Sequence, residues 1–520
     1  MRIFLELTLV NPNAVPLPMK TATLTLDRDF ALAPIDPRLY GGFAEHLGRH
    51  IYTGIYEPSH PDADEQGFRT DVIALVKELS MPIMRYPGGN FVSGYNWEDG
   101  VGPQETRPRR LDLAWGVTES NAFGTNEFMD WCQKVNTEPM LAVNLGTRGP
   151  DEARRLVEYC NHPSGTQLSD LRIAHGWRAP HNIKTWCLGN EMDGPWQMGT
   201  KTPYEYGRIA NETAKLMKWV DSRIELILCG SSGRGMPDFG KWEWESLTEC
   251  YDNVDYLSLH TYYDDHNGDL ASFVSEPDNM GDFIDEAIAL CDAVKAAKKS
   301  KKTLNLSFDE WNVWFPKNNA LPEKRTWPEV SERVSDVYDM ADVLVVGAML
   351  LTLMEHAERV KIGCIAQVVN LLAPILTEPG GRAWRQTIYW PFHHAATLGR
   401  GTALRCALKA PCFDSKVREQ TSVLKTVAVV SENGDELRIF VINRDPTGEK
   451  ISLALDLRAF GTLTPIEHLF IAHSNLHTEN TADSPDNVVP HSQSLVSLDH
   501  GKGTVTLAPY SWNVLRYQIQ

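Results

Sequence analysis

The strongest constraint on the fold is an alternation of short apolar runs with helical patterns along the first four hundred residues. Apolar residues at Phe283, Ile284, Ala287 and Cys291 follow the i, i+3, i+4 spacing of an amphipathic helix. Eight strand-then-helix units are typical of a (β/α)8 TIM barrel, whereas a doubly wound open sheet, the alternative, usually has fewer. The predicted strands are Leu39 to Phe43, Pro82 to Tyr86, Pro139 to Leu145, Lys184 to Gly189, Ile224 to Cys229, Tyr256 to His260, Leu304 to Glu310 and Ile362 to Val369.

Polar side chains stand at the ends of most of these predicted strands. The catalytic residues of a (β/α)8 barrel lie at the carboxyl ends of its strands, so we expect the active site to be built there. The polar residues in these positions are Glu45, His46, Arg85, Asn144, Asn190, Glu191, His260, Tyr262, Glu310 and Gln367.

After about residue 396 the pattern changes to β-rich runs separated by turn residues. We predict a catalytic barrel at 41–395 and an antiparallel, jelly-roll-like β-sandwich at 396–520, with strand-like residues in 19–40 joining the sandwich. Residues 1–18 make a poor signal peptide and are expected to be an extension outside the fold. The predicted sandwich strands are Val423 to Val430, Leu437 to Val441, Ile451 to Leu455, Leu495 to Leu498 and Thr504 to Leu507.

Composition excludes several functional classes. The formal net charge of −18, without a concentrated basic surface, argues against a nucleic-acid partner. No run approaches the ~20 uninterrupted apolar residues of a membrane span. The nine cysteines are scattered and form no CxxC pair, which argues against a zinc or redox site and favours a reducing, cytoplasmic compartment. We expect neither a metal nor a cofactor.

Two carboxylates point to a reaction. Glu191 ends the run Trp186-Cys187-Leu188-Gly189-Asn190-Glu191, and Glu310 ends a second run that begins at Leu304. A Glu at a strand end is usually a surface ion-pair member, but two of them in one barrel are what a retaining glycosidase needs. One serves as proton donor and the other as nucleophile, with carboxyl groups roughly 5–5.5 Å apart.

Four longer motifs carry a resemblance to a known family: Gly42 to Arg49, Arg85 to Trp97, Gly189 to Gln197 and Asp309 to Trp314. They closely resemble the α-L-arabinofuranosidases of glycoside hydrolase family 51, and the resemblance extends from about Met19 to the C-terminus. It implies a retaining, exo-acting enzyme that removes terminal non-reducing α-L-arabinofuranosyl residues from arabinan, arabinoxylan or arabino-oligosaccharides. It also implies a homo-oligomer, often a hexamer.

The resemblance assigns roles to individual residues. Glu191 matches the general acid/base on strand four, and Glu310 matches the nucleophile on strand seven. Arg85 matches an arginine beside the nucleophile, Tyr262 a hydroxyl that orients it, and Asn190 a residue that bonds the sugar 2-hydroxyl. Further matches to sugar-binding positions are Glu45, Asn90, His260 and Gln367.

Aromatic residues and alternative functions remain open from the sequence. Trp97, Trp115 and Trp314 are expected to stack on sugar faces, although fifteen tryptophans in one chain make core packing the competing interpretation. A related barrel glycosidase, such as an endoglucanase or a β-xylosidase, would use the same Glu pair in an open cleft. A non-catalytic sugar-binding protein would be expected to lack one of the two Glu residues.

Overall fold

Eight parallel strands close into a barrel, each hydrogen-bonded to the next in chain order. The computed structural model describes residues 19–316, 325–329, 331 and 333–520, so the predicted extension at 1–18 lies outside the described residues. The sequence prediction of a (β/α)8 TIM barrel is confirmed. Barrel strands one to eight are Gly41–Phe43, Ile83–Tyr86, Glu138–Val143, Thr185–Leu188, Glu225–Cys229, Tyr256–Tyr263, Asn305–Val313 and Val360–Ala366.

Helices connect the barrel strands, and four of the nine described α-helices begin at a residue whose side chain caps the first turn. The Thr202 side chain accepts a hydrogen bond from the Glu205 backbone N–H, and Pro203 occupies the first turn of that helix. None of the helices within the described residues has the length and hydropathy of a membrane span. The described α-helices are Thr70–Leu79, Thr125–Val135, Pro150–Asn161, Gln167–Ala174, Pro203–Val220, Lys241–Cys250, Leu270–Lys298, Met340–Glu355 and Tyr389–Leu398.

The barrel interior is a packed apolar core, as expected for eight strands. Its side chains come from alternate positions of seven of the strands, so it supports the strand ends rigidly from below. The interior cluster includes Phe43, Ile83, Met140, Ala142, Cys187, Ile227, Tyr256, Ile362, Cys364 and Ala366.

Strands six and seven are longer than the sequence predicted. Strand six runs on past His260 to Tyr263, and strand seven runs past Glu310 to Val313. Their pairing register shifts between Ser258 and His260. The functional side chains of these two strands therefore lie within the ladder rather than at its last residue.

A β-sandwich follows the barrel, and the predicted antiparallel sheets are confirmed. Strand Lys20–Thr25 pairs with Ile451–Asp456, so the N-terminal segment belongs spatially to the C-terminal sheets. The domain limits at residues 40 and 395 stay predictions. The two main sheets contain, besides Lys20–Thr25 and Ile451–Asp456, the strands Ala31–Pro34, Thr402–Leu404, Ala407–Lys409, Leu424–Val430, Glu436–Asn443, Leu463–Ala472, His491–Gln493, Lys502–Leu507 and Ser511–Ile519.

One predicted sandwich strand is wrong. Leu495 to Leu498 contains no strand, although Leu495 is buried in the sandwich core and Leu498 packs against that core. The apolar residues of this run therefore pack against the sandwich core without hydrogen-bonding to a neighbouring strand. Short two-stranded sheets elsewhere comprise Arg110–Asp112 with Val117–Glu119, Ile375–Thr377 with Ala383–Arg385, and Cys412–Phe413 with Thr421–Ser422.

The barrel and the sandwich share an extensive buried interface. Helix Met340–Glu355 is buried along almost its whole length, and a Cβ on Gly347 would lie 2.7 Å from the Trp512 ring. A helix that is apolar all round requires contacts on every side, and the sandwich supplies the outer ones. Across the same interface Arg444 binds Asp278 at 2.7 Å.

Candidate active site

A cavity of about 1070 Å³ opens at the carboxyl ends of the barrel strands. Arg85, Asn190 and His260 lie beside it: Arg85 hydrogen-bonds Glu310, His260 hydrogen-bonds Glu191, and Asn190 accepts a hydrogen bond from Arg85. Trp97 does not line this cavity; it is buried in the core against Tyr159, at a ring separation of 5.1 Å. The residues singled out in the sequence that line the cavity are Glu45, Asn90, Trp115, Glu191, Tyr262, Glu310, Trp314 and Gln367.

The Glu310 carboxylate is held by two donors, one from barrel strand two and one from the adjacent strand six. Arg85 Nη1 donates to Glu310 Oε1 at 2.6 Å, and the Tyr262 hydroxyl donates to Oε2 at 2.8 Å. Burial disfavours the charge of Arg85, but Glu310 and Asp309 raise its pKa well above its usual range. Burial and Glu310 likewise hold the pKa of Tyr262 well above its usual range. Both groups therefore remain donors and fix the orientation of the carboxylate.

The Glu191 carboxylate lies opposite Glu310 in a loop that begins at the end of strand four. Its Oε1 is 2.9 Å from His260 Nδ1, and its Oε2 accepts a hydrogen bond from Trp196 Nε1 at 2.7 Å. One carboxylate oxygen of Glu191 lies within 4.8 Å of one carboxylate oxygen of Glu310. So close an approach fits the roughly 5–5.5 Å between the carboxyl groups of retaining glycosidases better than the roughly 6.5–9.5 Å of inverting enzymes.

His260 lies between three carboxylates. Its Nδ1 is 3.6 Å from Glu310 Oε2 as well as 2.9 Å from Glu191, and its Nε2 is 2.9 Å from Asp309 Oδ1. Burial alone would lower the pKa of His260, but Glu310, Asp309 and Glu191 raise it to about 10. The imidazole is therefore protonated near neutral pH and donates from both nitrogens.

Glu45 is buried on the wall of the cavity beside Gly89. Its Oε1 accepts from the Phe91 backbone N–H at 3.1 Å and from Trp115 Nε1 at 3.0 Å, while Gln367 Nε2 donates to Oε2 at 3.4 Å. Burial, followed by the charge of Glu310, raises the pKa of Glu45 to about 8. A carboxyl group with this raised pKa can both donate and accept hydrogen bonds near neutral pH.

Two amide atoms beside the cavity are buried and have no hydrogen-bond partner among the described residues: Asn190 Nδ2 and Gln367 Oε1. The other end of the Asn190 amide is fixed, because Arg85 Nη2 donates to its Oδ1 at 2.6 Å. A buried polar atom without a partner is costly, and a ligand hydroxyl would remove that cost. The free Asn190 donor suits a hydroxylated ligand, whereas Gln367 also interacts with the buried His50 side chain.

A β-hairpin formed by Arg110–Asp112 and Val117–Glu119 carries Trp115 to the cavity. Its base is fixed by Glu119, which lies 3.0 Å from His46 Nδ1 and accepts the Tyr52 hydroxyl. Arg333 lies over the Trp115 ring at 4.8 Å from its centre. The hairpin thus places an aromatic face and a polar N–H at the cavity wall. Trp314 contributes a second ring, packed edge-on against Tyr262 at 5.5 Å.

Glu191, His260 and Glu310 also form the group of possible metal ligands found within the described residues. Their donor atoms are engaged otherwise: the protonated His260 has no free lone pair, and Arg85 contacts Glu310 with a full positive charge. A cation at this position would be repelled by two neighbouring cations. The side chains present fit carboxylate acid–base chemistry better than metal binding.

Three residues of the site were not singled out from the sequence. Asp309 and Trp196 lie inside two of the quoted motifs, so adjacency to Glu310 and Glu191 was the available signal. Arg333 has no such signal, because it reaches the cavity from a segment far from any strand end.

Comparisons with known proteins agree with this geometry. The family model described as the α-L-arabinofuranosidase 1 domain matches residues 75–281, and that of the α-L-arabinofuranosidase C-terminal domain matches 309–511. An intracellular exo-α-(1→5)-L-arabinofuranosidase of Halalkalibacterium halodurans is 54% identical over 95% of this chain and 99% of its own length. Its Bacillus subtilis counterpart is 51% identical over 96% and 100%. A solved family 51 α-L-arabinofuranosidase from Bifidobacterium longum matches with a TM-score of 0.91 and 42% identity, covering 96% of this chain and 99% of that one.

Proposed function

This chain belongs to the α-L-arabinofuranosidases of glycoside hydrolase family 51, and from that premise we propose that it is a retaining, exo-acting enzyme. It removes terminal non-reducing α-L-arabinofuranosyl residues from arabino-oligosaccharides, arabinan or arabinoxylan. The observation that carries the mechanism is the spacing of the carboxylate oxygens of Glu191 and Glu310, within 4.8 Å. The names of the two bacterial relatives, both exo-α-(1→5)-L-arabinofuranosidases, favour α-(1→5)-linked arabino-oligosaccharides among these substrates.

In the first half-reaction Glu310 is the nucleophile. Arg85 and Tyr262 fix its two oxygens, so one lone pair faces the anomeric carbon of a bound arabinofuranosyl unit. Glu191 protonates the departing glycosidic oxygen as the C–O bond breaks, and a glycosyl ester forms on Glu310. The free Nδ2 of Asn190 donates to the sugar 2-hydroxyl, a bond that strengthens as positive charge develops on the ring.

In the second half-reaction Glu191 acts as a base. Esterification removes the charge of Glu310, and Glu191, now ionised, takes a proton from a water molecule that attacks the same anomeric carbon. The bond to Glu310 breaks and arabinose leaves with its original configuration. Two displacements on opposite faces account for the retention.

Location and assembly are the less direct parts of this proposal. The relatives from H. halodurans and B. subtilis are named intracellular, and the nine cysteines are free thiols, which supports action in the cytoplasm. The family resemblance supports a homo-oligomer, in particular a hexamer. Light scattering behind a sizing column tests this: a monomer at micromolar concentration would contradict it.

The activity is tested with a panel of p-nitrophenyl glycosides. We expect rapid release of p-nitrophenol from the α-L-arabinofuranoside and little from the β-D-xylopyranoside and β-D-glucopyranoside. Activity on a pyranoside with none on the arabinofuranoside would contradict the proposed specificity. It would indicate a barrel glycosidase of different specificity that uses the same carboxylate pair. Loss of all activity in Glu310→Ala is the control that assigns the turnover to this site.

A further inference from the structure

Asp309 is a buried carboxylate beside the nucleophile that the double displacement leaves without a role. It is 1% exposed. Its Oδ1 lies 2.9 Å from His260 Nε2 and accepts the Ser258 hydroxyl at 2.5 Å, while its Oδ2 accepts the Ser307 hydroxyl at 3.1 Å. A charge this deeply buried is costly unless it is paired and hydrogen-bonded, and here the charged partner in direct contact is His260.

The backbone of strand seven is irregular where Asp309 and Glu310 follow one another. Consecutive residues of a regular strand point to opposite faces of the sheet. Here both carboxylates approach the same imidazole, Asp309 at Nε2 and Glu310 at Nδ1. The register of strand seven shifts against strand six beside His260 and against strand eight between Phe308 and Trp311. Such irregularities next to active sites redirect side chains.

Resting on the proposed function, we propose that Asp309 is a positioning residue. It anchors His260 so that Nδ1–H donates to Glu191 Oε1, and through His260 it sets the protonation of the acid/base group. Glu191 and His260, joined at 2.9 Å, then act as a pair in proton transfer. The pair gives one proton to the glycosidic oxygen as that C–O bond breaks. It takes one proton from the attacking water as the bond between the anomeric carbon and Glu310 breaks.

Besides Asp309, the carboxylates that raise the pKa of His260 are Glu310 and Glu191, and burial raises the pKa of Asp193, near Glu191, to about 6. Arg85 remains a cation, and burial raises the pKa of the Cys229 thiol to about 12. Burial likewise raises the pKa of the Cys187 thiol well above its usual range, and Tyr262 stays neutral for the reasons given above. Glu45, with its pKa of about 8, also titrates near the working range. Its hydrogen-bond partners are separate from those of Asp309, so a change at Asp309 leaves its contacts intact.

The test is Asp309→Asn, which keeps the shape and removes the charge. We would measure kcat/KM against pH with two α-L-arabinofuranosides, one with a good leaving group (2,4-dinitrophenyl) and one with a poor one (methyl). The alkaline limb of the kcat/KM profile should move to lower pH by about one unit, because His260 loses the negative charge of Asp309 that it contacts. At pH 7 the methyl glycoside should lose at least about ten times more activity than the dinitrophenyl glycoside, because only poor leaving groups require the acid.

A merely structural role would give a different pattern. An unchanged alkaline limb, with equal losses on both substrates, would overturn the proposal. Ser307→Ala is the matched control, since it removes a hydrogen bond to Asp309 but keeps the charge; its alkaline limb should stay in place. Wild type that is inactive on both arabinofuranosides would instead contradict the proposed function itself.

A second measurement is made on the wild-type enzyme and uses a variant only to assign signals. Nitrogen-15 NMR of the wild-type enzyme labelled at histidine reports whether each imidazole carries one proton or two. The His260 ring, identified by the loss of its signals in His260→Gln, should remain doubly protonated from pH 6 to pH 8. A neutral His260 ring at pH 7 would overturn the proposal.

Discussion

At the scale of the residue, the sugar-facing wall depends on glycines that allow a carboxylate to approach the backbone. A Cβ on Gly89 would lie 2.5 Å from Glu45 Oε1, and one on Gly88 would lie 2.6 Å from Glu45 Cγ. Gly88 also has a φ of +137°, which side chains other than glycine rarely adopt. The Gly-Gly pair therefore determines where Glu45, and with it Trp115 and Gln367, can stand.

Gly89→Ala should therefore damage the site without unfolding the barrel. The new methyl group displaces the Glu45 carboxylate, and a shift of about 1 Å in a positioning group lowers kcat/KM about 100-fold. Steady-state kinetics with thermal unfolding measures both effects. Gly281→Ala is the control: its Cβ would meet only ordinary contacts at 3.5 and 3.6 Å within helix Leu270–Lys298, so activity should not change. Wild-type kinetics in Gly89→Ala would contradict this account of the wall.

The sequence predicts single residues well where they lie in long motifs and poorly elsewhere. Glu45, Glu191 and Glu310 were singled out by strand ends and family motifs, and the structure places all three around one cavity. Asp309 was overlooked because regular alternation would turn it away from the site. Trp97 was expected to stack on the sugar but packs in the core. The chain has fifteen tryptophans, and the sequence does not distinguish a tryptophan in the core from one that lines the cavity.

At the scale of the element, a short hairpin fixes one side of the cavity. Burial works against the charge of Glu119, yet His46, Tyr52 and the Asn121 backbone N–H hold its pKa below its usual range. The carboxylate thus ties the base of the hairpin to the barrel by charge-assisted hydrogen bonds. The tip carries Trp115, whose N–H reaches Glu45.

Glu119→Gln should loosen this hairpin. Replacing the charged acceptor weakens bonds worth about 1.5–3 kcal/mol, so Trp115 is held less firmly and KM should rise roughly tenfold, with a lower unfolding temperature. Kinetics on p-nitrophenyl α-L-arabinofuranoside gives the KM. Glu105→Gln, at an exposed site nearby, should behave as wild type. An unchanged KM in Glu119→Gln would show that the hairpin holds its position without this carboxylate.

Elements were predicted with uneven success for a physical reason. All eight barrel strands were predicted from apolar runs, because buried strands need apolar side chains, and seven of them supply the apolar interior of the barrel. The sequence pattern does not predict where strands six and seven end. Their pairing contains register shifts, which depend on the neighbouring strand and leave no periodic pattern in the sequence. At Leu495 to Leu498 a strand was predicted where none exists. Apolar residues that are buried without strand pairing give the same sequence pattern as a strand.

At the scale of the whole molecule, barrel and sandwich are joined by a largely buried ionic cluster. Asp278, on helix Leu270–Lys298, binds Arg444 at 2.7 Å and Lys425 at 3.2 Å, both from the sandwich. Burial would raise the pKa of Asp278, but Arg444 and Lys425 lower it far below its ordinary value of 3.8. These partners are distant in sequence, so no sequence pattern predicts their contact.

Asp278→Asn should destabilise the protein by roughly 2 kcal/mol at pH 7. Because the folded-state pKa is depressed, this stability is fully present above the unfolded value of about 3.8 and is lost as pH falls through the folded value. The difference in unfolding temperature between wild type and variant should therefore shrink in acid. Asp285→Asn, on an exposed part of the same helix, should have little effect. A difference in unfolding temperature between wild type and Asp278→Asn that increases below pH 4 would contradict this explanation.

The central claim is that Glu310 and Glu191 divide the chemistry between nucleophile and acid/base, and one mass measurement tests it most directly. Glu191→Ala would be mixed with 2,4-dinitrophenyl α-L-arabinofuranoside, quenched and digested. The good leaving group departs without an acid, but water then lacks its base, so an arabinofuranosyl ester should accumulate on the peptide that contains Glu310. A label on another residue, or rapid turnover with no labelled peptide, would contradict the assignment.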